Sequence, residues 1–201
     1  MICSNDKFPM YLDGHTIANE MEMAKYYESG TLMQSPESVR YIVIHCTGTK
    51  VTNDYTVDHL MRDHLDRGFR TIGYHFYIRW DGTTTQHRKL LEVGAHAKPY
   101  NRCSIGICYE GGRDEQGRFR DTRTPKQKER MEELVIMMRK LFPNAMVVGH
   151  RDLLGATPKL CPCFEVKREF RCNWIWIGYH KRQEMRPLAA SLDVYGNINI
   201  P

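Results

Sequence analysis

Two short apolar runs, each ending in a histidine, constrain this chain more than any other feature. Tyr41-Ile42-Val43-Ile44 leads into His45, and Met146-Val147-Val148-Gly149 leads into His150. Runs this short and β-branched read as buried strands rather than helices. A strand end fixes a side chain in space before any ligand arrives, which makes a histidine there a good platform for a metal ion. Taken singly, either residue is more simply a core histidine.

The segments between and around these runs switch repeatedly between periods. Thr56-Val57-Asp58-His59-Leu60-Met61 opens a helix with apolar positions 57, 60, 61 and 65, closed by Gly68. Ile72–Trp80 alternates as a strand, with Tyr74, Phe76, Ile78 and Trp80 on one face. Asp81-Gly82 then turns the chain so that Thr83–Arg88 returns antiparallel. Cys103–Glu110 is a further strand, ended by Gly111-Gly112. Thr124-Pro125 starts a helix whose Met131, Leu134, Val135, Met138, Leu141 and Phe142 form one stripe, and Pro143-Asn144 stops it. Strands, helices and a hairpin mixed in this way predict an α/β fold, a single domain with a mixed central β-sheet flanked by helices. Residues 1–36 read as an N-terminal extension, with Thr16 capping a short helix over Ile17–Tyr27 that Gly30 ends. Residues 37–172 are the domain, closing with a charged helix over Glu165–Arg171. Residues 173–201 are a tail packed on it, anchored through Trp174 and Trp176.

Composition narrows the function classes. A net charge of +5, with 29 basic against 24 acidic residues, suits approach to an anionic polymer such as a cell wall. No basic block interleaved with aromatics marks a nucleic-acid groove. Seven cysteines is an odd number, so a fully paired disulfide framework within one chain is excluded. Their scatter, and an opening Met1–Asp6 with neither a basic head nor an apolar stretch, predict synthesis in a reducing cytoplasm without a signal peptide. No apolar run is long enough for membrane insertion.

Chemistry concentrates on a few residues. Cys161, in Pro158-Lys159-Leu160-Cys161-Pro162, completes with His45 and His150 the three-ligand set of a hydrolytic zinc ion, whose fourth position is left for water. Cys163 leaves an alternative open: Cys161 and Cys163 would share a side in an extended segment, and either sulfur fits. The Gly73-Tyr74-His75-Phe76 segment offers Tyr74 as a phenol that donates to an oxyanion or moves a proton. Lys159, two residues before Cys161, would face the same place. His96 and Asn101 are loop residues suited to substrate contact. His59, His64, His75, His87 and His180 have no comparable setting and are expected to be structural or exposed.

Tyr41–Thr47, Gly73–Phe76, Asp81-Gly82-Thr83, Val93–Lys98, Asn101, Ser104-Ile105-Gly106-Ile107, Gly149-His150 and Lys159-x-Cys161-Pro162-x-Phe164 occur in an order that resembles the zinc-dependent N-acetylmuramoyl-L-alanine amidases. The likeness runs from about residue 40 to residue 168 and is strongest to small phage lysozyme-type amidases and catalytic peptidoglycan recognition proteins. It implies a mixed sheet with a zinc site in an open groove. His45, His150 and Cys161 would be the ligands of one zinc ion, Cys161 being preferred because the family's ligand directly precedes the proline. Tyr74 and Lys159 match the two catalytic helpers. The implied reaction cleaves the amide between the lactyl group of N-acetylmuramic acid and L-alanine. Two features depart from the pattern: Cys163 stands where a small polar residue is expected, and Glu110 sits near where cytoplasmic recycling relatives place a base.

The resulting expectation is a monomeric cell-wall amidase, a phage or prophage endolysin or a bacterial wall hydrolase, which reaches peptidoglycan after release from the cytoplasm. The alternative is a module that holds peptidoglycan without cutting it; non-catalytic relatives typically lack the cysteine ligand, and Cys161 is present.

Overall fold

The computed structural model describes residues 32–155 and 160–170, together with the backbone of Ser191–Leu192 and Ile198–Asn199. Expectations for the helix at 17–27, Lys159, His180 and the tryptophans of the tail lie outside these residues. The strands are β1 (Tyr41–Cys46), β2 (Thr49–Lys50), β3 (Phe76–Ile78), β4 (Thr84–Gln86), β5 (Ser104–Tyr109), β6 (Gly112–Arg113) and β7 (Met146–Gly149), with a β8–β9 ladder of Ser191–Leu192 and Ile198–Asn199. The α-helices are α1 (Val57–Asp66), α2 (Pro125–Leu141) and the single turn α3 (Val166–Glu169).

The central sheet has the order β4-β3-β5-β1-β7. β1 runs parallel to both neighbours, β5 and β7; β3 is parallel to β5, and only β4 is antiparallel. The sheet is therefore mixed, as the pattern predicts. Strand periodicity sorts its side chains. Ile42, Ile44, Phe76, Ile78, Ile105 and Ile107 face the α2 stripe of Met131, Leu134, Val135, Met138 and Leu141, all buried. On the opposite face Val43 packs with Val148, Ala97 and Leu153, and Tyr77 and Cys108 pack with Leu60 of α1. His45 follows Val43 on this second face.

Capping fixes where the helices begin. Thr56 Oγ1 accepts from the His59 N–H at 3.3 Å, and Thr124 Oγ1 from the Gln127 N–H at 3.1 Å. Gln127 is fully buried and its Nε2 donates to the Ile78 and Glu110 carbonyls, which bolts the first turn of α2 to the sheet.

The strand expected over Ile72–Trp80 is shorter in the fold. Gly73 spends its backbone groups elsewhere: its N–H donates to His64 Nδ1 at 2.9 Å and its carbonyl accepts from the Ala95 N–H at 2.9 Å. With those groups satisfied outside a ladder, the chain bends through Gly73–His75, and only Phe76–Ile78 joins the sheet as strand. Tyr74 accordingly does not share the Phe76–Ile78 face. It packs with Leu60, Ile72, Tyr77 and Cys108 on the other side, with His45. Trp80 is half exposed rather than buried.

Two histidines near this bend are structural. His75 Nε2 donates to the Glu92 carbonyl and its Nδ1 accepts from the Gly106 N–H, so the ring is held neutral. Burial lowers His64 from 6.5 to about 4 and His75 to about 3. Below pH 6.5 the unfolded chain therefore binds protons that the folded chain refuses, and stability rises with pH across that window. The thermal midpoint is expected to fall as pH is lowered from 6.5 toward 4, with a shallower fall in His75→Gln; a flat profile for the parent protein would contradict this account.

Candidate metal and catalytic site

β1 and β7 end side by side, with Ile44 in register with Gly149, so the residues that follow each partner, His45 and His150, are neighbours by construction. Their rings lie 4.5 Å apart between centroids. β1 continues one residue past His45 to Cys46, whereas His150 opens a short 3-10 turn, His150–Asp152. The Asp152 carboxylate accepts from the Gly149 N–H at 2.8 Å and fixes that turn.

The third member arrives on a turn strapped down from several directions. The Arg151 N–H donates to the Cys161 carbonyl at 2.8 Å, the Tyr109 hydroxyl to the Pro162 carbonyl at 2.7 Å, and Arg151 Nη2 to the Phe164 carbonyl at 2.9 Å. The Arg123 guanidinium sits 3.2 Å from the Phe164 ring centroid and pairs with Glu169 and Asp121. Gly149 is needed for the close approach, since a Cβ there would stand 2.8 Å from Pro162 Cδ. The outcome is a buried trio in which one donor atom from each of His45, His150 and Cys161 lies within 4.8 Å of the others.

The chemistry of this donor set fits a zinc ion. Burial, then the neighbouring His96 and His150, holds His45 well below 6.5, and burial also lowers His150, so both imidazoles are neutral at neutral pH and keep a free lone pair. The Cys46 N–H points at Cys161 Sγ at 3.4 Å, which orients the sulfur. His45 Nδ1 faces Cys161 Sγ at 3.9 Å, while its Nε2 lies 3.0 Å from His96 Nδ1. Two imidazole nitrogens and one sulfur within this span make the three-sided site that hydrolytic zinc requires.

The two sulfurs left open by sequence go to different places. Cys163 adopts a left-handed backbone (φ 71°) at the end of a turn in which its N–H donates to the Leu160 carbonyl. That turn breaks the extended geometry in which residues 161 and 163 would share a side. Cys161 faces the histidines, and Cys163 Sγ lies against Cys46 Sγ at 3.7 Å.

Tyr74 borders the trio, its ring 5.1 Å from that of His45. Burial raises its pKa well above 10, so it stands as a neutral phenol, a donor rather than a base. Asn101 Oδ1 accepts from the backbone N–H groups of both His96 and Ala97, at 2.9 and 2.8 Å. The His96 ring fills a slot that Gly106 leaves open; a Cβ at Gly106 would meet the imidazole at 2.7 Å. Sequence reasoning gave these two residues to substrate and missed the His96–His45 contact. The glycines at 94 and 106 are its visible trace, since they leave room for a ring. Glu110 accepts from Arg79 Nε at 2.6 Å and from the Tyr55 and Trp80 N–H groups, so it is occupied as a structural carboxylate.

Comparison with known proteins agrees with this architecture. Residues 35–164 match the family described as N-acetylmuramoyl-L-alanine amidase. The endolysin of Escherichia phage T7 is 36% identical over 137 residues, covering 68% of this chain and 89% of that protein. A peptidoglycan-recognition protein of Drosophila melanogaster is 34% identical over 147 residues, covering 68% of this chain and 76% of that protein. Among solved structures, the N-acetylmuramoyl-L-alanine amidase LysC from Clostridium intestinale superposes with a TM-score of 0.55 at 30% identity, covering 67% of this chain and 83% of that one. With a histidine at the end of each of two adjacent parallel strands and a cysteine turned in beside them, the chain belongs to the N-acetylmuramoyl-L-alanine amidase family.

Proposed function

We propose that this amidase acts as an endolysin-type wall hydrolase that uses one zinc ion held by His45, His150 and Cys161 to cut the bond between N-acetylmuramic acid and L-alanine. The observation that carries the reading is the buried His-His-Cys trio at the strand ends, in a chain whose residues 35–164 match the family. A zinc ion there supplies Lewis acidity toward the scissile carbonyl and lowers the pKa of water.

The chain's own residues do the rest. Tyr74, held as a neutral phenol beside His45, donates a hydrogen bond to the carbonyl oxygen as negative charge develops on it. Lys159 is the proposed second donor, by the family pattern alone. His96 and Asn101 act as a brace: Asn101 pins the backbone at 96 and 97, and His96 Nδ1 accepts from His45 Nε2–H, leaving His45 Nδ1 for the metal. His96 Nε2 is buried on the side of the ring away from His45. The protein works as a monomer, with peptidoglycan as partner rather than nucleic acid or a membrane. No helix among the described residues is long and apolar enough to cross a membrane. Phage endolysins act on the wall after synthesis in the cytoplasm, and the same route is proposed for this chain.

Purified protein incubated with cell walls should expose new L-alanine amino termini, and a chelator should abolish them. Retention on the walls without any release would instead establish the binding-module alternative. His45→Ala and Cys161→Ala are expected to lose both metal and activity, whereas Cys163→Ala keeps both. Tyr74→Phe should retain full zinc and lose about 10²–10³ in kcat. His96→Ala should weaken zinc affinity by about 10- to 100-fold, read by competition with a chromogenic chelator. A rise in KM at unchanged zinc affinity would return His96 to the role of substrate contact.

A further inference from the structure

Cys46 and Cys163 have no part in the proposed ligand set, yet their sulfurs are in contact at 3.7 Å. Cys46 is buried on the α2 face of β1, directly after His45; Cys163 is half-buried, on the ligand turn two residues after Cys161. The pocket around them is tight. A Cβ at Gly112 would stand 2.7 Å from Cys46 Sγ, and Cys163 Sγ also contacts the Gly112 carbonyl at 3.4 Å. Of the other described cysteines, Cys103 Sγ donates to the Tyr100 carbonyl and Cys108 Sγ to the Tyr109 carbonyl, while Cys161 belongs to the proposed ligand set.

We propose that Cys46 and Cys163 form a redox-modifiable pair that closes into a disulfide when the protein meets a low-molecular-weight disulfide, covalently joining the end of β1 to the turn that carries Cys161. Cys163, the accessible member, gives up its proton to solvent and attacks one sulfur of the oxidant, releasing one thiolate and leaving a mixed disulfide. Cys46 gives up its proton and attacks Cys163 Sγ, the mixed disulfide breaks, and a second thiolate leaves. The two thiolates take up the two protons, so the oxidant ends as two thiols and the protein has lost two hydrogens. Cys161 Sγ also lies beside Cys46, accepting from its N–H at 3.4 Å, and faces His45 Nδ1 at 3.9 Å; the zinc ion it would hold is what withholds it from exchange.

The pair persists as thiols in a reducing compartment. A cross-link between β1 and the ligand turn closes a long loop and narrows the unfolded ensemble. It would tie the segments bearing His45 and Cys161 together in an oxidising setting outside the cell. The bridge itself does not depend on the amidase reading; only its benefit to the metal site rests on it.

The test uses the full-length zinc-loaded protein, incubated for hours with excess glutathione disulfide, alkylated and digested for peptide mass spectrometry. The expected product is one intramolecular link between the Cys46 and Cys163 peptides, a free-thiol titre lower by two, a raised thermal midpoint and slower zinc loss to a chelator. Cys163→Ser should show none of these while keeping its zinc and its melting behaviour under reducing conditions. A persistent glutathione adduct at Cys163, a link involving Cys161, or no reaction of thiols that react fully once denatured would each overturn the proposal. Because the readout is a peptide link, it stands or falls separately from any measurement on cell walls.

Discussion

The placement of β1 between two parallel neighbours is the constraint on which the site depends. Ladder pairing with β5 on one side and β7 on the other fixes both the height and the facing of every β1 residue. A slip of one residue against β7 would carry His45 to the α2 face and break the trio. The isoleucines prevent that slip. Ile42 and Ile44 are completely buried against Met131, Leu134 and Met138, and exchanging them with Val43 and His45 would place an imidazole in an apolar layer. Core packing and site geometry are thus one requirement, met by the same strand.

The second layer of control is polar and local. The Cys161 turn reaches the core through Cys161 and Phe164, while Leu160 is half exposed. It is further held by two hydrogen bonds from Arg151, one from Tyr109, and by Arg123 beneath Phe164. Arg123 is buried with both Asp121 and Glu169 against it, a charge pairing that offsets its desolvation. Positions far apart in sequence therefore converge on a turn that could not hold its shape alone.

Much of this was legible in the sequence because the signals were strong where burial was complete. The α2 stripe and the two histidine-terminated strands follow from periodicity, and the Thr124-Pro125 start is repeated in the cap geometry. The failures have equally specific causes. Tyr74 looked like a strand residue because alternation persists through Gly73–His75, but alternation does not report where backbone groups find partners, and Gly73 finds them in His64 and Ala95. Cys161 and Cys163 looked equivalent because spacing assumes extended backbone, whereas a left-handed residue at 163 turns one sulfur away. The His96–His45 contact spans a sequence separation that no local pattern encodes.

Among the described residues, the groups around the trio leave a narrow choice of acid–base chemistry. Glu110, near the position of the family's alternative base, accepts from Arg79 Nε and from the Tyr55 and Trp80 N–H groups, so the fold already uses it to tie three segments together. His75 has both ring nitrogens engaged, and His64 accepts from Gly73. Tyr74 alone combines proximity to His45 with a proton held firmly at neutral pH. A firmly held proton is what a hydrogen-bond donor to a developing oxyanion needs, since the gain comes from orientation and charge at that oxygen rather than from giving the proton up. The proposed division of labour follows: the metal activates, the phenol stabilises, and the Glu110 carboxylate serves the fold.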